Sequence, residues 1–121
     1  MALAKVGLGF PVSCAINSTT TVYANPASTV TYVRSLLIHN VATVNQVTLS
    51  VHVIANSGGA VGSTADSNRV FRLTLEPLDT YFTELAFPII LTGTNDSIRV
   101  VNSNTTAGDT LTVMLLGDKE A

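Results

Sequence analysis

The segment Gln46-Val47-Thr48-Leu49-Ser50-Val51-His52-Val53 alternates apolar and polar residues without a break. In an extended chain that order sets Val47, Leu49, Val51 and Val53 on one side and Gln46, Thr48, Ser50 and His52 on the other, whereas a 3.6-residue helix would scatter both sets. The bias runs through the whole chain, since 15 Val, 6 Ile and 17 Thr make 38 β-branched residues in 121. Such side chains lose rotamer freedom in a helix and pack well on a pleated surface, so an all-β fold is expected.

The same alternation marks residues 69–75, with Phe71, Leu73 and Leu75 inward, and residues 111–116, where Leu111, Val113 and Leu115 share a face. Glu76-Pro77-Leu78-Asp79 reads as a turn with Pro77 at its second position, so 69–75 and 80–85 form an expected hairpin. Gly93-Thr94-Asn95-Asp96 leads from 89–91 into 97–102 as a second one. With 19–24 and 32–40 the count reaches about eight strands, which predicts a single-domain antiparallel β-sandwich, jelly-roll-like, with an extended N-terminal arm. An immunoglobulin-type sandwich fits less well, because the chain has no Trp and one Cys. The expected division is an arm over 1–18, the sandwich over 19–116 and a polar tail over 117–121. The Gly- and Ser-rich stretch 55–68 is expected as a mobile loop at one end.

Charge is scarce. Six Lys and Arg with eight Asp and Glu amount to 12% of the chain, half the usual share, and none falls in 6–33 or 35–65. A net charge of −2 supplies no surplus to neutralise phosphates, which argues against nucleic acid as a partner. No window reaches the roughly 18 apolar residues of a helical membrane span. A Thr, Ser and Asn coat desolvates at the cost of a hydrogen bond, whereas an unpaired charge costs several kcal/mol, so this exterior suits lasting contact with protein. Two strands add to that expectation. Leu36 and Ile38 point opposite to Val33 and Leu37, and Met114 and Leu116 point opposite to Leu111, Val113 and Leu115. Apolar residues on both faces require a second cover, from a neighbouring subunit or from 1–11 folded across the sheet.

Residues able to carry chemistry are few and scattered. His39 and His52 are far apart and lack the His-x-His spacing of a jelly-roll metal site, and Cys14 has no paired base, so it reads as a small buried apolar residue. Glu76 and Asp79 read as turn acids, and Asp96 and Asp109 are a weak calcium pair. No catalytic residue, metal or cofactor is expected. Residues 1–15 have the length of a signal peptide, but Gly7, Gly9 and Pro11 interrupt the apolar run. Arg34, Arg69, Arg72 and Arg99 stand in or beside strands, and Arg is the cation that best tolerates partial burial. They are the candidate interface residues, together with Phe10 and Pro11 of the arm. The competing reading pairs each arginine with Glu76, Glu84, Asp66 or Asp96 on its own sheet.

The uncharged arm, the strand Val33-Arg34-Ser35-Leu36-Leu37-Ile38-His39-Asn40, the segment from Asn68 to Pro77, the run Asn95-Asp96-Ser97-Ile98-Arg99-Val100 and the turn Gly108-Asp109-Thr110 together resemble the small jelly-roll virion proteins of tailed phages. That family includes capsid decoration or cement proteins and related head or tail appendages. The resemblance implies a non-enzymatic protein located in the virion, assembled in the host cytoplasm. It implies a homo-oligomer, a trimer favoured, that docks on the major capsid protein or another virion protein and stabilises the shell, with the arm as anchor. The alternative is a tail or fibre module that binds a receptor or carbohydrate, which would require an exposed Tyr81 or Tyr23 beside Asp or Asn. A small jelly-roll enzyme would require His39, His52 and an acid to converge.

Overall fold

The computed structural model describes residues 3–8, 11–57 and 60–120. In chain order the strands are β1 (Leu3–Gly7), β2 (Val12–Cys14), β3 (Ser18–Ala24), β4 (Val30–Asn40), β5 (Val47–Ile54), β6 (Asn56–Ser57) and β7 (Ala60–Val61). After a 3₁₀ turn at Asp66–Asn68 come β8 (Arg69–Leu75), β9 (Thr80–Leu91), β10 (Ser97–Asn102) and β11 (Leu111–Glu120). The first sheet runs β1-β11-β4-β9, with β2 also paired to β11, and the second runs β3-β10-β5-β8. Every pair is antiparallel. The chain enters the first sheet at β2, the second at β3, the first at β4 and the second at β5, then repeats the exchange through β8, β9, β10 and β11. A five-stranded and a four-stranded layer connected across their gap in this way are a jelly roll, the sandwich expected from the alternation.

The inward set is the one that alternation marks, except that the register shift between Val33 and Ser35 turns Val33 inward with Leu36 and Ile38, where strict alternation set it on the opposite face. Val33, Leu36, Ile38, Leu111, Val113 and Leu115 of the first sheet meet Val47, Leu49, Val51, Ile98 and Val100 of the second, all buried. At about 25 cal/mol per Å² of apolar area these side chains supply the main term that holds the layers together.

Both expected hairpins are corners. Asp79 N–H donates to Glu76 O at 3.1 Å and Leu78 adopts φ 61°, so residues 76–79 do reverse the chain. However, β8 pairs with β5 and β9 pairs with β4, so the turn carries the chain from one sheet to the other. Residues 93–96, with Asn95 at φ 64°, do the same between β9 and β10. Turn chemistry sets a reversal, and it leaves open whether the returning strand lies beside its predecessor or across the core.

Residues read as arm and as tail meet in one ladder. Leu3 pairs with Glu120 and Gly7 with Leu116, Leu8 is buried with its N–H on Leu115 O at 3.0 Å, and Val12–Cys14 continue along β11 opposite Val113 to Leu111. The charged end Gly117-Asp118-Lys119-Glu120 hides that strand from a hydrophobic pattern. The 55–68 stretch is also structured where described: β6 and β7 pair, and the 3₁₀ turn sits against β5. Ile54, on the outer side of the second sheet, is buried, and a Cβ on Gly62 would lie 3.3 Å from its methyl group.

Candidate functional site: a protein interface

The outer face of the first sheet is built in cross-strand rows. Phe82 pairs with Leu37 and Leu37 with Met114, which makes an apolar row over three strands. The next row is Glu84, Ser35 and Leu116, and another joins Ile90 to Tyr32 and Asp118. Leu37, Met114 and Leu116 therefore face outward, as the two-sided pattern requires, and they are half-buried by their neighbours. Phe82 and Ile90, at the sheet edge, remain 50% and 53% exposed.

That edge is open: among the described residues no strand pairs with the side of β9 away from β4. Its register against β4 jumps from Ile89 opposite Val33 to Glu84 opposite Ser35, so residues 85–88 are displaced from the ladder. Phe87 stands on this irregular stretch beside Pro88 and is 87% exposed. A bulge with a proline blocks extension of the sheet by a further strand, so what β9 offers a partner is side chains.

Arg34 lies on the same outer face, where two register shifts meet, at Val33/Ser35 and at Leu116/Gly117. Its Nε donates to the buried carboxylate of Asp118, and its guanidinium sits 5.9 Å from the centre of the Tyr32 ring. This pair was not among the expected ones, because Asp118 was read as part of the tail.

The second sheet collects the other three arginines. Arg99 pairs with His52 and His52 with Arg69, while Arg72 pairs with Ser50 in the adjacent row. Directly opposed residues share a face, and Val51 and Val100 beside them point to the core, so all three arginines point outward. Strict alternation would put Arg69 on the inner side with Phe71. The register shift between Val51 and His52 adds one residue to β8 and turns Arg69 out. Arg69 Nη1 lies 3.3 Å from Asp66 Oδ1, the partner that the competing reading proposed. Arg72 and Arg99 have no ion pair among the described residues, and Arg99 Nε is buried without an acceptor there. Thr19, Thr21, Thr48, Ser50 and Thr74 supply neutral polar groups on the same face, with Val101 between Thr19 and Ser50.

His52 points outward, as the alternation requires, and it is buried there. Its Nδ1 bonds Asn68 Oδ1 at 2.7 Å and its Nε2 bonds Ser50 Oγ at 2.9 Å, while Asn68 donates to Ser63 O and fixes the loop over the ring. His39 belongs to the other sheet, bonded to Thr80 Oγ1 at 2.8 Å, so the two imidazoles do not converge. Asp96 and Asp109 flank the six-residue β10 at its two ends, roughly 20 Å apart. Asp96 accepts from Asn56 N and Gly93 N, and Asp109 from Asn45 and Asn104, so each acid ties its own loop to a neighbouring segment. Among the described residues no three His, Cys, Asp or Glu side chains are grouped to hold a metal ion. Cys14 is fully buried, and that burial pushes its thiol above its ordinary pKa, which suppresses the reactive thiolate.

A cleft of about 520 Å³ opens at one end of the sandwich between Asn45, Gln46, Asn104, Thr106 and Asp109. No aromatic residue lines it. Tyr23 is buried and donates to or accepts from Thr31, and Tyr81 packs inward against the core, so neither forms the exposed platform that a sugar site needs. Pro11 is exposed before β2, and Phe10 lies outside the described residues.

The chain is similar in fold to a chain of the T13 particle of infectious bursal disease virus, with a TM-score of 0.51 and 15% identity over 98% of this chain and 30% of that one. A chain of T=1 particles derived from the same virus aligns over the same shares at TM-score 0.44 and 17% identity, and one of its Gt strain at 0.43 and 15%. This chain thus spans about 30% of the length of those virus chains, and at such identity the likeness is one of fold. No family model matches the chain. No curated protein matches it either.

Proposed function

We propose that this chain is a structural protein of a virion, which oligomerises and docks on a shell of coat protein to stabilise it, in the manner of phage decoration or cement proteins. The observation that carries this reading is the apolar exterior of the first sheet: the Phe82-Leu37-Met114 row runs into an open edge that displays Phe87. An exposed apolar patch of this kind on a chain with so few charges marks a contact with protein. The jelly-roll topology, shared with chains of an icosahedral virus particle, fits the same role. In this reading a homo-oligomer, a trimer favoured, closes around the β9 edges, the partner is the major capsid protein or another virion protein, and Phe10 and Pro11 stay candidates for contact with that partner.

The test is co-sedimentation with purified empty shells that lack the chain. Saturable binding with a fixed number of copies per shell, reduced by about tenfold or more in Phe82→Ser and Phe87→Ser together, is the expected outcome. No binding of the intact chain to shells overturns the proposal.

A further inference from the structure

We infer that the outer face of the β3-β10-β5-β8 sheet is a second contact surface, built to receive a cluster of carboxylates on another protein through Arg69, Arg72 and Arg99. It deepens the proposed shell docking, which it would serve, by naming the face and the chemistry of the partner.

The charge distribution is the first ground. Three of the chain's six cations share this face with two carboxylates, Asp66 beside Arg69 and Glu76 held by Gln46 at the far end of the strands, leaving three cations and six acids for the rest of the molecule. The second ground is satisfaction. Asp66 is 92% exposed and holds Arg69 only at the surface, whereas Arg72 and Arg99 have no carboxylate partner among the described residues. Arg34 provides the internal contrast: on the other sheet, a buried acid of the chain already holds its Nε. The third ground is geometry. Arg69 and Arg99 stand two strand spacings apart, roughly 10 Å, with Arg72 one row along, so three planar forks are spaced for separate carboxylates. Ser50 and Thr21, next to Arg72 and Arg99 on the ladders, desolvate cheaply, which lets an ion pair form there with little competing hydration.

A protein surface suits this face better than a nucleic acid. A continuous polyanion extends past three arginines and then meets a molecule with a net acidic remainder, while a compact acidic patch ends where the arginines end. Arginine also favours the carboxylate through bidentate pairing, and no lysine accompanies the three on the ladder rows of this face.

The experiment follows the arginine Nε–Hε signals in ¹H–¹⁵N spectra of the full chain as octaglutamate is added, with octathymidylate as the second probe. The Arg72 and Arg99 signals are expected to shift saturably with octaglutamate while that of Arg34 stays in place. Arg72→Gln is expected to weaken the titration by about threefold to tenfold with an unchanged melting temperature. Equal movement of Arg34, no saturable shift, or tighter binding of octathymidylate overturns the inference. Shell binding is read separately. Intact shell affinity in Arg72→Gln and Arg99→Gln sinks this face and leaves the docking proposal standing, whereas octaglutamate binding by a chain that ignores shells does the reverse.

Discussion

Gly117 shows how much of this fold hangs on single residues. A Cβ there would lie 1.9 Å from the carbonyl oxygen of Tyr32, so β11 can approach β4 at its register shift only where no side chain intervenes. Backbone cannot yield as a side chain can. Gly117→Ala is therefore expected to cost about 2–3 kcal/mol, read as a lower urea midpoint at unchanged slope, and an unchanged midpoint would show that the strands separate freely here. Buried asparagines tie the strand ends in the same residue-by-residue way. Asn40 Nδ2 donates to Asn45 O, Leu75 O and Glu76 O at 3.0–3.2 Å while its Oδ1 accepts from Ala42 N. Asn102 bridges Cys14 O, Asp109 O and Asn104 N at the same end of the molecule. None of this was legible beforehand, because an asparagine in sequence reads as a turn former or a surface polar residue. Only the three-dimensional approach of distant carbonyls turns it into a buried clasp. Cys14 was legible, since a lone thiol with no base in an apolar chain has few other uses.

At the scale of elements, alternation exposed the strands and concealed their partners. The inward residues of β5, β8, β10 and β11 follow directly from period two, and all reach the core or its margin. Which strand lies beside which is decided by long-range register, and so both turns at 76–79 and 93–96 carry the chain across the sandwich. Bulges cause the remaining differences. One extra residue at Val70 moves Arg69 to the outer face, where three arginines gather that a strict pattern would have split between the two sides. β1 went unread because it is short and contains Lys5 and Gly7, yet it covers the C-terminal half of β11. Deleting residues 1–8 removes that ladder and the buried Leu8. The shortened chain is expected to keep its β-sheet circular dichroism and to lose about 2–3 kcal/mol of stability, measured by urea unfolding. Full stability after the deletion would mean that β1 does not pair in solution.

The whole molecule presents two unlike exteriors. One sheet carries an apolar row that ends at an open, bulged edge, and the other carries arginines set among hydroxyls. The sandwich itself was legible from about eight short β-rich runs, and the outward apolar row from the two-sided strands. The division of labour between faces was not, since periodicity tells which residues share a side and is silent on which sheet that side belongs to. An exterior shaped to lie against other protein molecules makes the full chain self-associate, and sedimentation equilibrium across a concentration series reads that association. The expected mass is a small whole-number multiple of 12.7 kDa, falling to 12.7 kDa when Phe82→Ser and Phe87→Ser are combined. A mass of 12.7 kDa at every concentration, unchanged by those substitutions, would contradict it.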